Sequence, residues 1–189
     1  MTDCQIENTG HFGILTSAPG NHRIQDVVIW NNRTKQTGGS ALFASNVVNC
    51  HVYGNTFDQS GAFDDARKHG RGSGSWTFNA ENVLYEMNVC MNSKGKGDST
   101  GIHSDFNCCD VIVQRNLSYN NEGGFMEVLG NNYNYNYNCN CNCAYRYNVS
   151  INDGSRVKGL DGGTQERQGP HGQRPLREAT LRSFQQLLL

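Results

Sequence analysis

Three side chains in two neighbouring segments of the sequence could act together as acids and bases. The segment GIHSDFN at 101–107 carries His103 and Asp105, and the segment GFMEVLG at 124–130 carries Glu127. Because side chains alternate between the two faces of a strand, we expect all three to point outward, away from the apolar residues between them. Asp105 and Glu127 are 22 residues apart. If these residues complete one turn of a repeat, the two carboxylates lie on strands about 4.8 Å apart.

Two carboxylates at such a spacing are the groups that hydrolyse glycosidic bonds. The carboxyl groups are ~5–5.5 Å apart in retaining glycosidases and ~6.5–9.5 Å apart in inverting ones. Their closeness also raises one pKa, as a general acid requires. Asp105, Glu127 and the neighbouring His103 are therefore the candidate catalytic residues. Phe125, expected to point outward beside His103, offers a flat apolar face to a sugar ring and is a candidate for substrate binding.

Polar loops near these strands favour a second chemistry, β-elimination of a uronate. The loop FDDARKHGRGSGS at 63–75 is rich in cations. Arginine can hold a uronate carboxylate by two hydrogen bonds, and Lys68, His69 or His103 could serve as the base. Further polar residues precede the strands that carry His103 and Glu127. The substrate-binding residues predicted from these loops are Arg67, Lys68, His69, Arg71, Asp98 and Glu122.

Each of these groups also has a plainer interpretation. A loop of mixed charge is commonly only solvated, and stacked carboxylates on a repeat commonly face solvent or bind Ca²⁺. The sequence does not define a cofactor; Ca²⁺ is a candidate, and no residue is assigned to a metal. Cys139, Cys141 and Cys143 share a strand face and could form a thiolate site. The favoured interpretation is a repeat expansion, NNYNYNYNCNCNC at 131–143, with Cys143 in the core at the strand position that Cys50 also occupies.

The elements that position these residues recur along the chain. Short apolar segments end in asparagine six times, and five of them also begin with Asn or Asp six positions earlier; the final residues are Asn8, Asn32, Asn55, Asn88, Asn116 and Asn148. A second strand precedes several of these segments, and Asn46, Asn79 and Asn107 mark a second recurring position. Stacked asparagines can hydrogen-bond along an axis and tolerate the left-handed corners of a coil. The spacing predicts about six stacked coils of 23 to 33 residues.

The repeat resembles the right-handed parallel β-helix proteins, which include pectate lyases and polygalacturonases. The segments RGSGSWTF, GDSTGIHSDFN and NEGGFMEVLGNN also resemble uncharacterised bacterial β-helix proteins. The predicted fold is therefore an all-β, single-stranded parallel β-helix over residues 1–153, and an antiparallel sandwich is the alternative. Residues 154–189 are expected to be an irregular tail or a cap, with a short amphipathic helix that carries Leu181, Phe184 and Leu188.

Inward and outward residues follow from the alternation. In the strand SWTF at 75–78, Trp76 and Phe78 are expected to point inward and Ser75 and Thr77 outward. The same pattern places Ile102 and Ser104 inside the coil that carries His103.

Charge and terminal sequence limit the partners. The net charge is −1 and no basic stripe is interleaved with aromatics, which argues against nucleic acid. No apolar run has the length of a membrane span. The expected partner is a polysaccharide or oligosaccharide.

The sequence begins inside a coil and without a signal peptide, so we expect a piece of a longer extracellular or periplasmic protein. The hypotheses are a polysaccharide hydrolase or lyase, a non-catalytic glycan-binding or adhesin module, and an inactive fragment of a β-helix enzyme.

Overall fold

Short strands joined by tight corners make up the described part of the chain. The computed structural model describes residues 1–62, 72–95, 98–129 and 140–155, and the backbone of 181–188. The sixteen strands are β1 Gln5–Thr9, β2 Ile14–Thr16, β3 Ile24–Trp30, β4 Arg33–Thr37, β5 Leu42–Ser45, β6 Val47–Tyr53, β7 Thr56–Ser60, β8 Ser75–Phe78, β9 Glu81–Glu86, β10 Val89–Met91, β11 Thr100–Ser104, β12 Cys109–Gln114, β13 Leu117–Tyr119, β14 Gly124–Val128, β15 Cys143–Ile151 and β16 Leu181–Leu188.

The strands form three parallel faces that wind around one axis. The first face contains β3, β6, β9 and β12, the second contains β1, β4, β7, β10 and β13, and both continue into the long strand β15. The third face contains β2, β5, β8, β11 and β14. All pairings are parallel and join each strand to its equivalent one coil away. This arrangement confirms the predicted parallel β-helix and excludes the antiparallel sandwich.

A buried asparagine ladder runs along the corner between the first and second faces. Each side-chain oxygen accepts two N–H groups from the preceding asparagine, its backbone N–H and its Nδ2. The Nδ2 groups also donate to backbone carbonyls inside the coil. Because buried polar groups are costly without partners, this ladder fixes the position of every coil. Its members are Asn32, Asn55, Asn88, Asn116 and Asn148.

The first residue predicted for this ladder is wrong. Asn8 lies in β1, which pairs with β4, on the strand that follows the ladder corner. The backbone N–H of Cys4 donates to Asn32 Oδ1, so Cys4 holds the equivalent position. Asn8 instead turns a second corner with a φ of 58°.

Two further ladders confirm the other recurring positions. Asn46, Asn79 and Asn107 all have positive φ, and each Nδ2 after the first bonds to the preceding Oδ1. The Asn and Asp residues that open the apolar segments also have positive φ and bond to one another along the surface. They are Asp26, Asn49, Asn82, Asp110 and Asn142. Asparagine is common in this conformation because its short polar side chain tolerates it.

The core contains apolar rows and a few satisfied hydroxyls. Cys50, Val83, Val111 and Cys143 are aligned in one row and are all buried, which confirms Cys143 as a core residue. In the next row, the hydroxyl of buried Tyr85 lies 3.0 Å from Ser75 Oγ and 2.5 Å from Thr77 Oγ1.

These bonds place Ser75 and Thr77 inside the coil, so the orientation predicted for β8 is wrong. Two small hydroxyl residues can enter the core because tyrosine satisfies their hydrogen-bonding groups. The alternation then turns Trp76 to the outer face.

The C-terminal end of the described chain also differs from expectation. Residues 181–188, predicted as a helix, form β16, which pairs in parallel with β15. A strand is favoured because the edge of β15 presents backbone groups that another strand can satisfy.

A disulfide joins Cys109 to Cys141 on the next coil, so Cys141 is not available as a thiolate ligand. Cys139 lies outside the described residues. Among the described residues, no helix has the length and apolar character of a membrane span.

Candidate functional site

One row of side chains on the outer face of the third sheet carries the chemistry. Its register aligns Leu15, Phe43, Trp76, His103 and Glu127 on five successive coils. Leu15 is 55% exposed, whereas Trp76, His103 and Glu127 are buried. The row therefore runs from an exposed apolar end to a buried polar end.

Aromatic stacking connects the two ends of the row. The rings of Phe43 and Trp76 are stacked with centroids 4.1 Å apart. The imidazole of His103 is stacked on the other side of Trp76 at 6.2 Å, with an interplanar angle of 17°. Because stacked strands repeat every ~4.8 Å, flat rings at the same position on neighbouring coils fall naturally face to face.

Two carboxylates converge on the imidazole of His103. Nδ1 lies 3.4 Å from Asp98 Oδ2 and 3.6 Å from Glu127 Oε2. Asp98 precedes β11 by two residues, and Glu127 is the register partner of His103 on β14. One candidate ligand atom from each residue lies within 4.8 Å of the others, so the three could hold a metal ion. We call these residues the Asp98–His103–Glu127 cluster.

The electrostatics of the cluster favour a charged imidazole when no cation is bound. Burial lowers the pKa of His103, because an imidazolium is poorly solvated inside the protein. The negative charges of Glu127, Asp98 and Asp105 outweigh this effect and raise the pKa to about 9.

Asp105 is held beside the cluster by a separate set of bonds. Its Oδ2 accepts a 2.7 Å hydrogen bond from Trp76 Nε1, and its Oδ1 accepts one of 2.7 Å from the backbone N–H of Phe106. The backbone N–H of Asp105 also donates to Thr77 O on the preceding coil. Asp105 is therefore a buried, well-oriented carboxylate just after the end of β11.

Two details of the predicted site are wrong. Glu127 pairs with His103 rather than with Asp105, because Thr100 aligns with Gly124 and the coil between them has 24 residues instead of 22. Phe125 points inward, where it is buried and packs edge-on against Tyr145 at 6.0 Å. Gly101 on the coil below makes room for it, since a Cβ there would lie 3.1 Å from the Phe125 ring.

Only some of the remaining predicted site residues lie in the described part of the chain. Arg67, Lys68, His69 and Arg71 lie outside the described residues. Glu122 is half-buried in the turn before β14, where its backbone N–H donates to Ser93 O. Asp98, predicted to bind substrate, belongs to the cluster with two of the predicted catalytic residues. Trp76 was not predicted from the sequence as a site residue. The available signal was that Ser75-Trp76-Thr77 aligns with Ile102-His103-Ser104, which places Trp76 on the same face as His103.

The comparisons with known proteins identify the fold. No protein-family description and no curated protein sequence matches this chain. Two solved structures of the GH136 lacto-N-biosidase from Eubacterium ramulus, the native protein and its selenomethionine derivative, are similar to it with TM-scores of 0.51 and 0.52. Each is 16% identical in sequence, and the match covers 86% of this chain. The chain spans only 28% of the length of that enzyme, and the likeness confirms the parallel β-helix architecture.

Proposed function

We propose that this chain is the part of a carbohydrate-active β-helix protein that hydrolyses a glycosidic bond in an oligosaccharide. The observation that carries the proposal is the buried Asp105, held by Trp76 next to the Asp98–His103–Glu127 cluster on one sheet face. A further support is the architecture shared with a glycoside hydrolase.

The bonds of Asp105 suit it to act as a base or nucleophile. Hydrolysis requires a carboxylate that either attacks the sugar carbon or activates a water molecule. It also requires a second group that protonates the leaving oxygen. Two N–H donors, Trp76 Nε1 and the backbone N–H of Phe106, orient this carboxylate. We assign Asp105 the first role, and a group of the neighbouring cluster has the second role when the cluster holds no cation. Trp76 positions Asp105.

The row also offers a surface for the sugar itself. Phe43 is half-buried, Leu15 is exposed, and Phe12 packs against Phe43 and Trp76, so this end of the row is apolar. A sugar ring laid here would contact the edges of the stacked rings and the side chain of Leu15, and would approach the polar end. The substrate of the full-length protein is therefore an oligosaccharide or polysaccharide that runs along the helix axis.

The disulfide supports an oxidising location for the parent protein. Cys109 and Cys141 come from adjacent coils and are bonded. Disulfides persist in secreted and periplasmic proteins and are rare in the cytosol. We therefore assign the parent protein to the extracellular space or the periplasm.

An activity screen of the purified chain tests the hydrolase. It uses host, plant and algal oligosaccharides and polysaccharides, and follows reducing ends together with the ultraviolet absorbance of unsaturated products. Reducing ends without absorbance, abolished by Asp105→Asn and kept by Asp110→Asn, would support hydrolysis. Asp110 is a suitable control because it is an exposed corner residue of the same helix. Both signals together would mean a pectate lyase-like elimination and would overturn the proposal, as would inactivity on every substrate.

A non-catalytic glycan-binding module is the second candidate, and an exposed aromatic pair favours it. Trp30 and Tyr53 occupy equivalent positions on β3 and β6, and their rings are stacked at 5.6 Å with an interplanar angle of 16°. Trp30 is 41% exposed on the first face, whereas the row of Trp76 lies on the third face. Glycan binding lost in Trp30→Ala, with no hydrolysis by the wild type, would favour this function.

A further inference from the structure

We propose that Asp98, His103 and Glu127 form a binding site for a divalent transition-metal ion of the zinc class. The site goes beyond the hydrolase function and does not depend on it. No metal was assigned to these residues from the sequence, which suggested only calcium on stacked carboxylates.

The distances within the cluster fit ligands around an ion better than a hydrogen-bonded triad. Charge-assisted N–H···O bonds are ~2.7–2.9 Å long, whereas His103 Nδ1 lies 3.4 Å and 3.6 Å from the two carboxylate oxygens. Zinc binds histidine nitrogen and carboxylate oxygen at ~2.0–2.2 Å in a tetrahedral arrangement. Ligand atoms at the corners of such a tetrahedron are ~3.3–3.6 Å apart. A modest closure of the cluster around the ion is enough.

The burial of His103 is an independent observation that points to a ligand. The side chain is 1% exposed, and neither ring nitrogen makes a hydrogen bond within the described part of the chain. Burying a polar group without a hydrogen bond costs ~1–3 kcal/mol. Coordination through Nδ1, which faces both carboxylates, gives that nitrogen a partner.

The donor set selects the kind of ion. Calcium and magnesium prefer all-oxygen sites, whereas imidazole is a preferred ligand of zinc and its transition-metal neighbours. Two carboxylates and a neutral imidazole carry two negative charges, which balance a dication. Three protein ligands leave a fourth position open, as in catalytic rather than structural zinc sites.

Backbone geometry holds the three ligands in place. His103 and Glu127 are paired across β11 and β14, and the ring of Trp76 stacks on His103. Asp98 is fixed because the turn at Gly123 packs directly against its backbone, at a separation that leaves no room for a Cβ. The ligands are therefore preorganised by three separate contacts.

Metal titration of the purified chain tests the site. The full chain is stripped with a chelator and titrated with Zn²⁺ against a chromophoric competitor, and Co²⁺ is used for its visible spectrum. We expect one tightly bound ion per chain and a tetrahedral Co²⁺ spectrum. Asp98→Asn, His103→Gln and Glu127→Gln should each weaken binding at least tenfold. His51→Gln is the matched control, because His51 forms a surface pair with Glu86 at 3.1 Å and should leave binding unchanged.

Three results would overturn the site. They are an absence of stoichiometric Zn²⁺ binding, binding that none of the three ligand variants weakens, and preferential binding of Ca²⁺. If a ligand variant fails to fold, the wild type alone still decides: bound Zn²⁺ should raise its melting temperature by mass action and Ca²⁺ should not. Zn²⁺ binding without hydrolysis would overturn the proposed function and support the metal site. Hydrolysis by a protein that binds no metal would support the proposed function and overturn the metal site.

Discussion

Trp76 and Asp105, from consecutive coils, are joined by a buried 2.7 Å hydrogen bond between the indole Nε1 and a carboxylate oxygen. The bond crosses the outer face of the third sheet, beside His103. It couples the aromatic part of the row to the carboxylate that we assign to catalysis. A neutral donor that orients a catalytic carboxylate must affect both stability and turnover.

Trp76→Phe removes this bond while it keeps an aromatic ring in the stack. Hydrogen bonds to charged groups contribute ~1.5–3 kcal/mol, so we expect the free energy of unfolding in urea to fall by about 2 kcal/mol. If the chain hydrolyses a glycan, kcat should fall more than the affinity for substrate. Trp30→Phe is the control, because Trp30 is exposed and Phe still stacks on Tyr53. Equal effects of the two variants would contradict the role of the Asp105 bond.

The buried ladder gives a second prediction, on stability alone. Asn88→Ala removes the acceptor of two N–H groups of Asn55 and the donors to Val52 O and Asn116 Oδ1. Each buried group left without a partner costs ~1–3 kcal/mol, so we expect a loss of about 3 kcal/mol in urea unfolding.

An exposed ladder supplies the control for Asn88. Asn82 bonds at the surface to Asn49 and has a φ of 53°, which glycine adopts freely. Asn82→Gly should therefore change stability by less than about 1 kcal/mol. A loss as large as that of Asn88→Ala would mean that burial does not decide the strength of these ladders.

The fold was predictable because the asparagine positions recur for a physical reason. A buried ladder favours the same residue on successive coils, and a positive φ at each corner favours Asn or Asp. Five of the six predicted ladder residues occupy it. The prediction for Asn8 was wrong because Asn8 lies in β1, which pairs with β4 and so follows the ladder corner. Strand pairing, rather than residue type, sets its position.

The site was less predictable because it depends on register. The sequence predicted the four acidic and basic residues of the site, but not which of them contact one another. They are Asp98, His103, Asp105 and Glu127. The offset of two residues between the predicted and observed partners of Glu127 arises because the coil has 24 residues rather than 22, a length that no periodicity of the sequence reveals. The outward position of Trp76 depends on the hydroxyl of Tyr85, a contact between distant strands.

Buried thiols predict how stability depends on pH. Burial raises the pKa of Cys50 to about 12, because the interior disfavours a thiolate. An unfolded thiol ionises near pH ~8.5, so the unfolded state loses its proton first as pH rises. The contribution of Cys50 is complete below that pH and is lost progressively up to about pH 12.

Cys50→Val isolates this contribution. Valine occupies the same row at positions 83 and 111, so it fits the core position. We expect the midpoint of urea unfolding to fall less steeply between pH 8 and pH 10.5 in the variant than in the wild type, under reducing conditions applied to both. An identical slope in the two proteins would show that Cys50 does not control stability in this range.

Gly123 gives the last prediction, which links the backbone to the cluster. The glycine lies against the backbone of Asp98 and donates its N–H to Ser99 O. A Cβ there would overlap the Asp98 carbonyl, so Gly123→Ala must displace either β14 or the segment that carries Asp98. Overpacking typically costs ~1–3 kcal/mol, and we expect a loss at the upper end of that range. Because Asp98 moves with its backbone, Zn²⁺ binding should weaken as in Asp98→Asn. Gly10→Ala is the control, since no atom lies within 4 Å of a Cβ at that position. If Gly123→Ala binds Zn²⁺ as the wild type does, the turn does not position Asp98.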